Sequence, residues 1–281
     1  MTPAGPILDH HCHLDVDTGM GLAAVDQFVA AGGTHLIIIN KPSWHLGPLP
    51  TTADAFTAVF ERTIAIIDAA AERLPGTAWG CLGVHPACIT QLVDDGGLSP
   101  AAAAELMCAG LDRAAARVGS DRIIGIKSGR PHYDVDAAVW EASNAVLQHA
   151  LALAAATDCA IQLHTEAADA LPDVAAWADQ AGIDPARVVK HFAGGAFTGR
   201  LTPSVISRRD ALTRACDRGI PFLMETDFID DPDRPGAVLG LRTVPRRVRW
   251  LIDAGHADAM HTAHVTLPRA IYGIDTTGTL S

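Results

Sequence analysis

No two of the six cysteines stand in a Cys-x-x-Cys pair. Cys12, Cys81, Cys88, Cys108, Cys159 and Cys216 are scattered, four of them inside apolar runs. That spacing excludes a dithiol motif and predicts reduced, buried, structural thiols. No apolar run approaches the roughly 20 residues that span a bilayer, so no membrane segment is expected. The opening MTPAGPILDHH holds neither a basic stretch nor an apolar one. No secretory leader is expected there, and the cytoplasm is the default compartment. Positive charge is scarce: 21 Lys and Arg against 32 Asp and Glu give a formal net charge of -11. Such a chain repels a phosphate backbone unless a local basic face or bound cations offset the repulsion. This weighs against a nonspecific or processive nuclease. Internal repeats and low-complexity linkers are also lacking.

What is present suits one large globular domain. The chain has 281 residues, 49% hydrophobic and 19% charged, and a (β/α)8 barrel typically takes about 250 residues. Apolar, β-rich runs cover 6–14, 34–40, 78–84, 122–128, 159–164, 187–192, 202–207 and 220–227. Helical patterns lie between them. In 55–74 the residues Phe56, Val59, Phe60, Ile64 and Ile67 share one face, and 100–118 and 134–157 read likewise. Gly119, Gly182 and Gly219 sit where helices should stop. Eight strands joined by crossovers imply parallel pairing. Runs such as Leu36-Ile37-Ile38-Ile39 are apolar throughout, as strands covered on both faces should be. The expected fold is an α/β TIM barrel. It forms a single domain over 1–274, and 275–281 are expected as a mobile tail. Distortion is expected around strand seven, because 194–200 leave room only for a loop or one turn and Pro203 opens that strand.

The polar residues at the strand ends carry the chemistry. The first strand closes Asp9-His10-His11-Cys12-His13. Side chains alternate along a strand, so His11 and His13 face the same side and can chelate one metal ion. His164, His191, Asp227 and Lys127 each close a different apolar run. In a barrel those ends meet at one mouth, where such enzymes place their sites. Four imidazoles, a carboxylate and an amine converging there point to a metal site. His256, His261 and His264 lie far from the strand ends in sequence and are expected to be structural.

The ordered set resembles the TatD-like branch of the amidohydrolase superfamily. Asp9-His10-His11-Cys12-His13-Leu14-Asp15 is similar to its opening motif, and Gly83-Val84-His85-Pro86 to its third-strand signature. His164 and His191 match its fifth- and sixth-strand histidines, and Glu225-Thr226-Asp227 its eighth-strand motif. The branch carries a metal-bridging glutamate on strand four. Alignment on Gly129-Arg130-Pro131-His132-Tyr133 puts Lys127 at that position. An ammonium has no lone pair and cannot bridge cations; a lysine carbamate can, and phosphotriesterase-like relatives use one.

The resemblance thus implies two divalent metal ions. Zinc is the first expectation, with manganese, iron or nickel also compatible. His11, His13, Asp227 and carbamylated Lys127 would hold one ion, and His164, His191 and the same carbamate the other. It implies a metal-bridging hydroxide as nucleophile, with Asp227 and Lys127 as the catalytic residues. Asp9 would orient a ligand, and Glu225 is expected to orient rather than ligate. His85, Arg130, His132, Tyr133, Lys41 and Arg234 are the expected substrate contacts, with Arg130 and Arg234 as anion-binding forks. Trp44 follows strand two near the same mouth, and residues 228–236 are expected as a lid or pocket wall. The expected function is hydrolysis of an amide, lactone or other ester, or phosphoester bond in a small anionic molecule. A 3′-deoxyribonuclease is the alternative, and a non-catalytic metal-binding protein a second one. A homo-oligomer is allowed.

Overall fold

The computed structural model describes residues 5–120, 122–231, 233 and 239–278. The apolar runs become parallel strands: β1 Leu8–His13, β2 His35–Ile39, β3 Ala78–Gly83, β4 Ile123–Gly129, β5 Ala160–His164, β6 Val188–Ala193, β7 Thr202–Ile206, β8 Leu223–Glu225 and β9 Phe228–Ile229. They pair in chain order from β8 back to β1, and β9 adds to the free edge of β1. Only Thr226 and Asp227 separate β8 from β9. The two are one eighth strand, paired with β7 before the break and with β1 after it. The Asp227 N–H donates to His11 O at 3.0 Å across that seam. The sheet therefore closes on itself as a (β/α)8 barrel.

The break has a local cause. Asp227 sits at φ 48, a left-handed backbone that a continuous strand cannot contain. Register also shifts between Lys190 and Ala193, where β6 meets β7. Strand seven itself is regular, with Pro203 opposite Lys190, and no helix separates β6 from β7. Gly129 shows the opposite case, a close approach: a Cβ there would lie 1.8 Å from His164 O. Only glycine lets β4 run that near the end of β5.

The crossover helices are α1 Leu22–Ala30, α2 Ala53–Ala71, α3 Cys88–Asp94, α4 Pro100–Ala115, α5 Ala137–Ala156, α6 Pro172–Ala181, α7 Arg209–Asp217 and α8 Thr243–Asp253. Ser99 and Asp136 cap α4 and α5 by accepting from backbone N–H groups of the first turn. Gly119, Gly182 and Gly219 all take positive φ where the preceding helix has ended. The apolar faces of these helices and the outer face of the sheet form one continuous core. A second cluster fills the barrel interior: Leu8, Ile37, Ile39, Ala160, Val189 and Leu223 meet Ile271, Tyr272 and Ile274. These last residues come from the C-terminal segment, α9 Ala257–His261, a π-helical turn and α10 Leu267–Tyr272. Within the stretch expected as a tail, Thr276 is buried and donates to His264 O. All six cysteines are free, four of them buried. Among the described residues no helix is long and apolar enough to cross a membrane.

Candidate metal centre

The C-terminal ends of the strands surround a cavity of about 480 Å³. His11 and His13 reach it from β1, Lys127 from β4, His164 from β5, His191 from β6 and Asp227 from the break in the eighth strand. The structure brings all six together.

Hydrogen bonds on the outer ring nitrogens define the inner ones. His11 Nδ1 is 2.6 Å from Gln162 Oε1, His13 Nδ1 is 3.0 Å from Ile39 O, and His191 Nδ1 is 3.0 Å from Glu225 Oε1. Each of those oxygens only accepts, so each Nδ1 carries the proton and each Nε2 keeps its lone pair. His11 Nε2 and His13 Nε2 then face one another at 3.3 Å, with Asp227 Oδ1 at 3.8 and 3.7 Å. Three electron-pair donors meet there with no proton between them, as a cation site requires. A second pair forms beside it. His191 Nε2 is 3.0 Å from His164 Nδ1, and His164 Nε2 is 2.8 Å from His132 Nδ1. The rings of His11 and His191 stack at 4.0 Å, which ties the two groups into one centre.

Burial keeps this cluster neutral. It drives His11, His164 and His191 well below the usual imidazole range and His13 down to about 3, with the Lys127 amine adding to the effect. Neutral imidazole is the form that ligates metals. Lys127 is 3% exposed, and its Nζ has no hydrogen-bond partner. Burial lowers it to about 7, although Asp227 and Glu225 pull the other way. A buried, unpartnered amine among imidazoles is costly unless something else completes it.

The supports are built from the same strands. Asp9 Oδ1 and Oδ2 accept from the Thr226 N–H at 3.0 Å and the Thr226 hydroxyl at 2.6 Å. The His11 N–H also points to Asp9 Oδ1 at 3.3 Å. Asp9 thus links β1 to the strained Asp227 turn, whose left-handed backbone costs on the order of 1–3 kcal/mol. Burial pushes the Asp9 carboxyl up to about 8 against those hydrogen bonds. Glu225 Oε1 accepts from both His191 Nδ1 and the Phe192 N–H, so that oxygen orients rather than ligates.

The expected substrate contacts divide. His85 and His132 line the cavity. Arg130 does not: it is 3% exposed, paired with Glu166 and with Asp173 Oδ2 at 2.6 Å, and lies 4.8 Å above the Trp140 ring. Its donors are committed to packing α5 and α6 against the barrel, so it is no free fork. Lys41 is likewise turned away, held by Asp15 Oδ2 at 3.1 Å and by Asp230 O. Tyr133 is exposed and bonds Thr90 outside the cavity. Arg234 lies outside the described residues. From the expected lid, Ile229 lines the cavity, while Asp230 accepts from the N–H groups of Asp15, Met20 and Gly21.

Several residues of the site were missed in the sequence, Pro42, His45, Thr165 and Ala167 at the cavity wall among them. Gln162 interrupts an apolar run two positions before His164, on the same strand face, and that interruption was a usable signal. Lys190 and Phe192 flank His191 and also line the cavity. Lys190 Nζ donates to His191 O at 2.9 Å and Thr165 O at 3.3 Å. Phe192 is 40% exposed at φ 55. No strand pattern predicts that conformation.

A family model described as TatD related DNase matches residues 8–271. An uncharacterised protein of Methanocaldococcus jannaschii is 35% identical over 281 residues, covering 96% of each chain. Among solved structures, an organophosphorus hydrolase from Deinococcus radiodurans has a TM-score of 0.61 at 15% identity, covering 95% of this chain and 92% of that one. A phosphotriesterase homology protein from Escherichia coli, with phosphate in its active site, has a TM-score of 0.57 at 13% identity, covering 97% and 100%. At such identities these structures speak for the shared barrel alone.

Proposed function

The chain belongs to the TatD-related DNase family and is a metal-dependent hydrolase, and we propose from that premise that two divalent cations serve a small-molecule ester, lactone, amide or phosphoester substrate. His11, His13 and Asp227 would hold one cation, and His164 and His191 the other. Carbamylated Lys127 would join them. The observation that carries this reading is the arrangement of donors: ring nitrogens of His11 and His13 face one another at 3.3 Å and those of His164 and His191 at 3.0 Å, beside a buried amine without a partner. That set fits two cations and an anionic bridge. The neutral Lys127 amine would supply the bridge by adding CO2, losing one N–H proton to solvent and becoming a two-oxygen monoanion. Zinc suits imidazole and carboxylate ligands, and manganese, iron or nickel are compatible. Bound cations acidify a water and polarise the scissile group's oxygen.

The chain's own residues supply the rest. Asp227 Oδ1 lies between His11 and His13 and takes the proton of the attacking water, then delivers it to the leaving group. Trp44, Phe192, Ile229 and Pro42 give the cavity an apolar wall. With Arg130 and Lys41 committed elsewhere, negative charge on a substrate is met by the centre and by Lys190 at its edge, and the apolar wall receives an uncharged arm. The family's own description favours a second reading, a metal-dependent deoxyribonuclease, here taken as a 3′ exonuclease. The net charge of -11 weighs against it.

Lys127→Ala tests the proposal. The variant should lose most bound metal and on the order of a hundredfold of activity on an ester, lactone and phosphoester panel, with partial recovery by formate or acetate. Unchanged metal content would overturn the bridging role. Turnover confined to oligonucleotides, falling steeply with salt, would favour the nuclease.

A further inference from the structure

We propose that Gln162 and Tyr272 are positioning residues. They belong to a hydrogen-bonded relay, beneath the centre, that dictates which nitrogen of His11 faces the cation. The inference rests on His11 being a metal ligand, as in the function proposed above.

The relay is continuous and buried. His11 Nδ1 meets Gln162 Oε1 at 2.6 Å, and Gln162 Nε2 meets the Tyr272 hydroxyl at 3.0 Å. That hydroxyl lies 2.7 Å from His10 Nε2, and His10 Nδ1 lies 3.0 Å from Ser204 Oγ. Gln162, His10 and Ser204 are wholly buried and Tyr272 is 9% exposed, so bulk water does not compete for these bonds. Tyr272 comes from α10, the helix that closes the barrel interior, 110 residues beyond Gln162.

Such a chain has two self-consistent polarities. In one, Ser204 accepts from His10 Nδ1, His10 Nε2 accepts from Tyr272, Tyr272 accepts from the Gln162 amide, and Gln162 Oε1 accepts from His11 Nδ1. His11 Nε2 then offers a lone pair to the cavity. In the other, every proton is reversed and the Gln162 amide is flipped. His11 then carries its proton on Nε2, in the space a cation needs, and cannot ligate through that atom.

Glu225 selects between them. Glu225 Oε2 is buried without a hydrogen-bond partner of its own. Glu225 Oε2 also lies 4.0 Å from His10 Nδ1, which favours a proton on that nitrogen. One carboxylate therefore sets the tautomer of His191 directly, through Oε1, and biases that of His11 through His10, Tyr272 and Gln162. The C-terminal helix is part of the metal centre in this sense: the Tyr272 hydroxyl takes the shortest bond of Gln162 Nε2, 3.0 Å against 3.4 Å to His10 O, and so helps fix the orientation of the amide.

The test compares Gln162→Leu, Tyr272→Phe and Gln162→Glu with the parent protein. Gln162→Glu keeps an oxygen acceptor opposite His11 Nδ1. Nitrogen-15 correlation spectra of the histidine rings in chelated protein report the tautomers, and competition with a chromogenic chelator reports zinc affinity. Gln162→Leu should lose the Nδ1–H signal of His11 as the sole form and weaken zinc by about 10–100-fold. Tyr272→Phe should weaken it less, in the same direction, and Gln162→Glu should retain it within about threefold. The inference falls if Gln162→Leu and Tyr272→Phe keep the His11 tautomer and parental zinc affinity, even where their melting temperatures drop. It also falls if Gln162→Glu behaves like Gln162→Leu. His11→Ala separates the two proposals: if that variant keeps its full zinc complement, the ligand assignment itself has failed.

Discussion

At the strand starts, Leu8, Ala160, Val189 and Leu223 close around Ile271 and Ile274, all of them buried. At the strand ends, ring nitrogens face one another, Lys127 Nζ is buried without a hydrogen-bond partner, and Asp227 and Phe192 hold left-handed backbones. The first arrangement is what packing alone selects. The second costs stability in the bare protein and makes sense only with something bound. The two ends of one barrel therefore separate what holds this chain together from what it does.

That contrast can be broken by substitution. Asp227→Asn keeps the shape of the turn, since asparagine tolerates positive φ, but removes the proton acceptor. We expect kcat to fall by about 10²–10⁴-fold with the melting temperature unchanged. A loss of fold instead would mean that the mouth is structural. Leu223→Ala should do the reverse. Truncating a buried core leucine costs about 2–5 kcal/mol, read by denaturant titration, while zinc affinity stays at the parental value.

Arg130→Ala belongs with the second class despite lying just beyond β4. It removes both ion pairs and the buried packing against Trp140 and should cost about 2 kcal/mol, leaving KM for small substrates unchanged. A rise in KM would restore the anion fork that the ion pairs rule out. The smallest effect near neutrality is in pH. Burial pulls both His35 and His264 down to about 4. Between there and about 6.5 the unfolded chain binds more protons than the folded one, so stability falls as pH falls through that window. His264 Nδ1 accepts from the Leu8 N–H. Replacing it in His264→Gln keeps an acceptor and should flatten the acid limb of a melting-temperature profile of chelated protein.

Much of this was legible in the sequence, for a physical reason. Parallel strands covered on both faces are apolar throughout, so a polar residue that ends such a run marks the mouth. His164 after Ala160-Ile161-Gln162-Leu163 is the clearest case. The stops at Gly119, Gly182 and Gly219 were legible because helices end on left-handed glycine. Arg130 and Lys41 were misread because a cation's partners come from other segments: Glu166 and Asp173 for one, Asp15 and Asp230 for the other. The break at Thr226-Asp227 was hidden because only tertiary bonds, to Asp9 and His11 O, hold that backbone. Tyr272 gave no signal at all, since nothing local connects a C-terminal helix to a histidine on the first strand.

The bridged pair of cations is the claim on which the chemistry depends. Anomalous diffraction from crystals grown with zinc, in the presence of bicarbonate, tests it most directly. The account predicts two anomalous peaks, one among His11, His13 and Asp227 and one beside His164 and His191, with planar density extending from Lys127 Nζ between them. A single peak, with Lys127 ending in a bare ammonium, would contradict it.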